Sequence, residues 1–199
     1  MKDMQFNQTR LDLNEYGLKI SLDFNSLIRK ITVKKNLLLN WEKKITDGFG
    51  HIYLVNQYLL KKIEKLDTLL HEGFLNQERE CFESDFTIIR TMLNVSVFKI
   101  KSSPDFRVPL YFSSEELEMK LAVQLQKLIL LSNKVPSVYA GNYRDEMKVV
   151  SGIKLDVYQL IFFAMKHTQY HLNQMQTLIG IQNIFDVEEL PKIRVFNQE

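Results

Sequence analysis

The chain has four histidines, and two of them, His167 and His171, stand four residues apart. On a helix that spacing puts both imidazoles on one face, where they can bind a single ion. Spacing alone carries little weight, because a chain with this histidine content shows such a pair by chance on the order of once in ten sequences. Placement adds to it. The apolar stripe of the same segment runs Leu160, Ala164, His167, His171, Met175, Leu178, so both rings are expected to face the interior. His51, one residue before Ile52 and four before Val55, flanks the core face of another helix and is the natural third ligand. Two buried imidazoles without partners are costly, and a metal ion is one partner that both can share. The other reading is of three hydrogen-bonded core histidines; the residues alone leave both open. His71, just before Glu72 and Gly73, suits the negative end of a helix dipole and reads as structural.

Other site chemistries fit less well. A zincin needs Glu directly after its first histidine, where Thr168 stands. A ferritin-like di-iron site needs Glu three residues before a histidine, and those positions hold Gly48, Thr68, Ala164 and Thr168. No glycine-rich phosphate loop, nucleophile elbow or cysteine pair is present. The single cysteine, Cys81, lies in Glu80-Cys81-Phe82-Glu83, where no cation lowers its pKa, and reads as a bland, partly buried thiol.

Four segments repeat apolar residues at helical spacing and must position these groups. The first places Leu13, Tyr16, Ile20, Phe24, Leu27 and Ile31 on one stripe, although Gly17 weakens it and Leu18, Ile20 and Leu22 also read as a short strand. The second runs from about Thr46 to His71, with Ile52, Val55, Leu59, Ile63, Leu66 and Leu70 on one face and Gly73 as a stop. The third opens with Ser113-Ser114-Glu115-Glu116, a capping box, and carries Leu117, Leu121, Leu125 and Leu128 until Val135-Pro136. The fourth begins at the N-cap Asp156, with Gln159 three residues on, and ends at Gly180. The expected fold is an all-α four-helix bundle in one domain spanning 1–199, with its core at about 11–180 and an extension over 181–199. Phe74 to Phe112 forms a long apolar connection, expected to hold short helices or turns, and Ser137 to Lys154 an irregular one.

Composition agrees with one globular domain: 199 residues, 45% hydrophobic, only 7 Gly and 4 Pro. A net charge of +2, with lysines interleaved among acids, gives no reason to expect a nucleic-acid partner. The longest purely apolar run, Leu160 to Met165, is six residues, so no membrane span is expected. One cysteine and a start without an apolar leader point to the cytosol.

The run His167-Thr168-Gln169-Tyr170-His171-Leu172-Asn173-Gln174 resembles the signature in the last bundle helix of the DinB-like superfamily: two histidines four apart, then Gln three further on. That superfamily holds the damage-inducible and bacillithiol-transferase-like proteins of bacteria. Gly50-His51-Ile52-Tyr53-Leu54 stands where the family carries its first metal histidine, and Trp41 precedes it somewhat farther away than is usual there. The resemblance covers about Leu11 to Gly180, and its specific part is the three histidines. It implies a divalent ion, zinc, nickel or iron, held by His51, His167 and His171, with Gln174 orienting a ligand or a bound water or merely packing. Members with known activity are similar to metal-dependent thiol transferases or isomerases that present a low-molecular-weight thiol to a small electrophile. Hydrolase or lyase chemistry falls in the same range.

Three neutral imidazoles leave an open coordination position and the ion's full charge, which suits activation of a thiol or water. Tyr58 and Tyr170 are candidates to approach the site, and Arg144 and Lys148 to hold an anionic cosubstrate. The tyrosines read more readily as core residues with satisfied hydroxyls, and Arg144 and Lys148 as solvated surface charge. The alternative function is a non-catalytic bundle whose ion is structural, serving as a small-ligand or protein-interaction module. A homodimer is compatible with the fold, but the sequence shows no exposed apolar stripe clear enough to assign its interface.

Overall fold

A computed structural model describes residues 2–34, 42–74, 84, 112–134, 143–146 and 153–181, with residues 2–11, 70, 71, 73, 74 and 181 described by their backbone alone. Helix α1 spans Lys2–Val33, α2 Glu42–Phe74, α3 Ser114–Lys134 and α4 Val157–Ile181. The architecture is therefore the expected all-α four-helix bundle. Trp41, Cys81, Lys148, nearly all of the connection from Phe74 to Phe112 and the extension after Ile181 lie outside the described residues, as does the His71 side chain.

The helix ends follow from capping. Ser113 N–H donates to Glu116 Oε2 at 2.9 Å while Glu116 N–H donates to Ser113 Oγ at 3.1 Å, closing the capping box that opens α3. Asp156 and Gln159 make the same reciprocal pair ahead of α4, at 2.8 and 3.0 Å. The first stripe is helical throughout, not partly strand: Ile20 is fully buried, whereas Leu18 and Leu22 are 51% and 70% exposed. Helix α2 is longer than its stripe predicts, starting at Glu42 and passing Gly73 to end at Phe74. The stretch expected to be wholly irregular before α4 contains a minimal antiparallel pair, β1 Asp145–Glu146 with β2 Lys154–Leu155. Lys62 anchors it to α2, donating to Asp145 Oδ2 at 3.0 Å and to the Glu146 carbonyl at 2.8 Å.

Side-chain pairs fix the helix directions. Asn133 donates to Asn14 at 3.0 Å, and a Cβ on Gly17 would meet Ile129, so α1 and α3 are antiparallel. Gln124 donates to the Tyr53 carbonyl and Lys134 to Asp67, so α2 and α3 are parallel. Gly48 faces Met175 and Asn56 faces Thr168, so α2 and α4 are antiparallel. Each of α1 and α2 packs against both α3 and α4, which leaves α1 across the bundle from α2, and α3 across from α4. This topology explains the long second connection: a parallel pair requires the chain to return the length of the bundle before α3 begins. Leu27, Leu59, Leu121 and Leu160, one from each helix, are buried in the same core, and Phe24 packs edge-on against Phe49 across it at 5.9 Å.

Gly17, a weakness by helix propensity, has a packing role. A Cβ there would lie 2.7 Å from both Ile129 Cγ1 and Met165 Cε. Gly17→Ala is expected to destabilise the protein by about 1 kcal/mol in urea unfolding, overpacking of about 1–3 kcal/mol outweighing the ~1 kcal/mol gained in propensity. A more stable variant would contradict this close approach.

Candidate metal centre

Two close contacts between α2 and α4 lie beside the histidines. At one, an added Cβ on Gly48 would stand 3.1 Å from Met175 Sδ, so glycine lets α4 lie tight against the start of α2. At the other, the fully buried Asn56 donates from Nδ2 to Thr168 Oγ1 at 3.0 Å, and the Thr168 hydroxyl in turn donates to the Ala164 carbonyl at 2.9 Å. A polar pair in an apolar core is tolerable only when its atoms are satisfied like this, and it fixes how far the helices slide.

His51 on α2 and His171 on α4 lie between these contacts, and His167 stands beside Thr168 at the second. Ring centroids lie 4.6 to 5.1 Å apart, and one nitrogen from each ring falls within 4.8 Å of the others. His167 Nε2 and His171 Nε2 face each other at 3.2 Å. Two nitrogens each about 2.1 Å from one tetrahedral ion are separated by about 3.4 Å, so this spacing fits a shared ion. His171 Nδ1 donates to Gln174 Oε1 at 2.9 Å, a tautomer that leaves its Nε2 lone pair aimed at His167. His167 is buried, stacks on Phe163 at 6.3 Å, and its Nδ1 has no partner among the described residues.

Burial sets the charge state. It holds the His51 pKa below the usual imidazole value, and drives His167 well below it with help from the neighbouring His171 and His51. The same burial, with His51 adding to it, lowers His171 to about 4 against the opposing effect of its hydrogen bond to Gln174. All three rings are thus neutral near pH 7 and can offer lone pairs.

No family model, curated protein or solved structure matches this chain. The centre is therefore characterised by its own donors. Three neutral imidazole nitrogens so placed could hold a metal ion, and they are donors for a transition metal more than for the oxygen-seeking calcium or magnesium. They leave at least one coordination position for a substrate or water.

The other candidates are distributed differently. Tyr170, 57% exposed, packs edge-on against His171 at 5.2 Å, so it borders the cluster. Tyr58 lies two turns beyond His51, roughly 10 Å along α2, with the Lys62 ammonium 5.3 Å above its ring. Arg144 acts on the Asp156 carboxylate at the opposite end of α4. In the sequence Met175 stands out only as part of the apolar stripe and no supporting role is assigned to Gly48, Asn56 or Thr168, yet for the last two a signal existed. Asn56 follows Ile52 by four residues, and Thr168 lies midway between Ala164 and Leu172, which puts an uncharged polar residue at core spacing on each of two helices. Asn56→Ala is expected to lower stability by about 1–3 kcal/mol and metal affinity about tenfold, measured by urea unfolding and metal titration. Unchanged affinity would show that the contact supports the fold alone.

Proposed function

We propose that His51, His167 and His171 hold one divalent transition-metal ion, zinc, nickel or iron, and that the chain is a DinB-like metal-dependent enzyme acting on a small electrophile. The observation that carries this reading is the convergence of three neutral imidazoles from two helices, with the His171 lone pair fixed by Gln174. An ion held by such ligands supplies a thiolate or hydroxide at neutral pH, because its charge lowers the pKa of whatever fills the open position.

The favoured reaction is transfer of a low-molecular-weight thiol. The thiol proton leaves to solvent, the sulfur forms a bond to the electrophilic carbon, and the leaving group departs with its bonding pair. Gln174 orients His171, while Asn56 and Thr168 hold α2 and α4 at the spacing the ligands need. Tyr170 stands at the exposed margin, where an incoming molecule meets it first. A reducing cytosol, in which such thiols abound, is the matching compartment.

Chelation separates this from the second reading, a structural ion, which is favoured by the deep burial of His167 between α2 and α4. The protein is assayed for thiol transfer to an activated aryl or alkyl halide before and after removal of metal. Lost activity with retained folding, restored by one added metal, is the expected result. A collapse of global stability with no activity at any stage would favour the structural ion.

A further inference from the structure

Helix α3 carries its core residues on one side and an unusual row on the other. Met119, Val123 and Leu130 are 64%, 63% and 67% exposed. With the exposed Gln126 they recur at alternating spacings of four and three, the seam that lets two helices pack along their length. Solvent-facing apolar residues scattered singly need no explanation, whereas three aligned on one helix face mark a contact surface. A groove of 450 Å³ between α2 and α3 adjoins the stripe, with Leu60, Met119 and Val123 in its wall and Lys120 at its edge.

We propose that this face of α3 is the interface of a two-fold dimer, packed antiparallel against α3 of a second copy. Charge along the helix selects this occupant. The exposed acids Glu115 and Glu116 lie in its first turn, whereas Lys127 and Lys134 lie toward its end, already touching Glu64 and Asp67 of α2. An antiparallel partner brings the acidic end of each helix to the basic end of the other. The register that sets Met119 on Leu130 of the second copy also sets Val123 on Gln126 and Glu115 beside Lys134. A two-fold axis repeats each of these contacts, so the face is self-complementary. Because α3 lies across the bundle from α4, the dimer leaves the exposed side of α4, with Tyr170, uncovered.

Sedimentation of the full chain over micromolar concentrations tests this directly. A dimer is expected, with its dissociation constant raised about tenfold or more by Met119→Lys or by Leu130→Glu alone. The double variant is expected to recover most of the loss, since each lysine then meets a glutamate of the second copy. Circular dichroism checks that helicity is kept in every variant. A monomeric wild type would overturn the proposal, as would a dimer indifferent to both substitutions. A dimer weakened by each but not rescued by the pair would overturn the antiparallel register. Protection of Met119 from hydroxyl-radical labelling in a monomer would mean that another segment of the same chain covers the stripe, and would overturn it too.

Discussion

Replacing His167 with alanine is expected to remove stoichiometric metal binding. His167 is the most deeply buried of the three rings, and its Nε2 faces the His171 Nε2 at 3.2 Å. Without it, two ligands remain, one of them on the other helix, and the ion loses the pair that the four-residue spacing prearranges. Affinity should fall by more than the 10–100-fold typical of a residue that only supports a ligand. Gln174→Ala supplies that comparison, because it removes the hydrogen bond that fixes the His171 tautomer while leaving all three imidazoles. The metal-free His167→Ala protein should lose only about 1–3 kcal/mol, the cost of a modest cavity. Competition titration with a metal indicator, beside far-ultraviolet circular dichroism, gives both numbers. An affinity equal to that of the unmodified protein would remove His167 from the ligand set.

The second large effect is on acid stability without metal. Burial lowers the pKa of His171 from 6.5 to about 4, so between those values the unfolded chain binds the proton more readily than the folded one. A folded pKa below the unfolded one means no contribution above pH 6.5 and a growing penalty as pH falls. For His171 alone the penalty is about 2 kcal/mol by pH 5 and about 3 kcal/mol by pH 4. His51 and His167 shift in the same direction for the same leading reason, burial. Urea unfolding of the metal-free protein at pH 7 and pH 5, compared with a His171→Asn variant, isolates the ring from carboxylates that titrate nearby. The variant should lose less stability on acidification than the unmodified chain. Equal losses in both would show that His171 is not buried as a neutral base.

Much of the bundle could be read from periodicity, because the residues that set it are local. Leu117, Leu121, Leu125 and Leu128 recur at helical spacing and all are buried; Ser113 and Asp156 stand at the helix starts where their side chains cap. The order in which the helices neighbour one another was not readable this way. It depends on long-range contacts such as Asn133 with Asn14 and Gln124 with Tyr53, which no local pattern specifies. The same division holds at the centre. His167 and His171 announce themselves by spacing, whereas their meeting with His51 depends on the fit of Gly48 to Met175 and of Asn56 to Thr168. Gly17 shows how propensity misleads when taken alone: it weakens a helix in isolation and admits two neighbours in the bundle.

The most direct test of the three-histidine centre is the metal content of protein purified without an affinity tag, by elemental mass spectrometry, with His51→Ala and His171→Ala alongside. About one transition-metal ion per chain, lost in both variants, is the expected result. Protein that holds no metal after incubation with zinc, nickel and ferrous ions would contradict it, and the three imidazoles would then be hydrogen-bonded core residues.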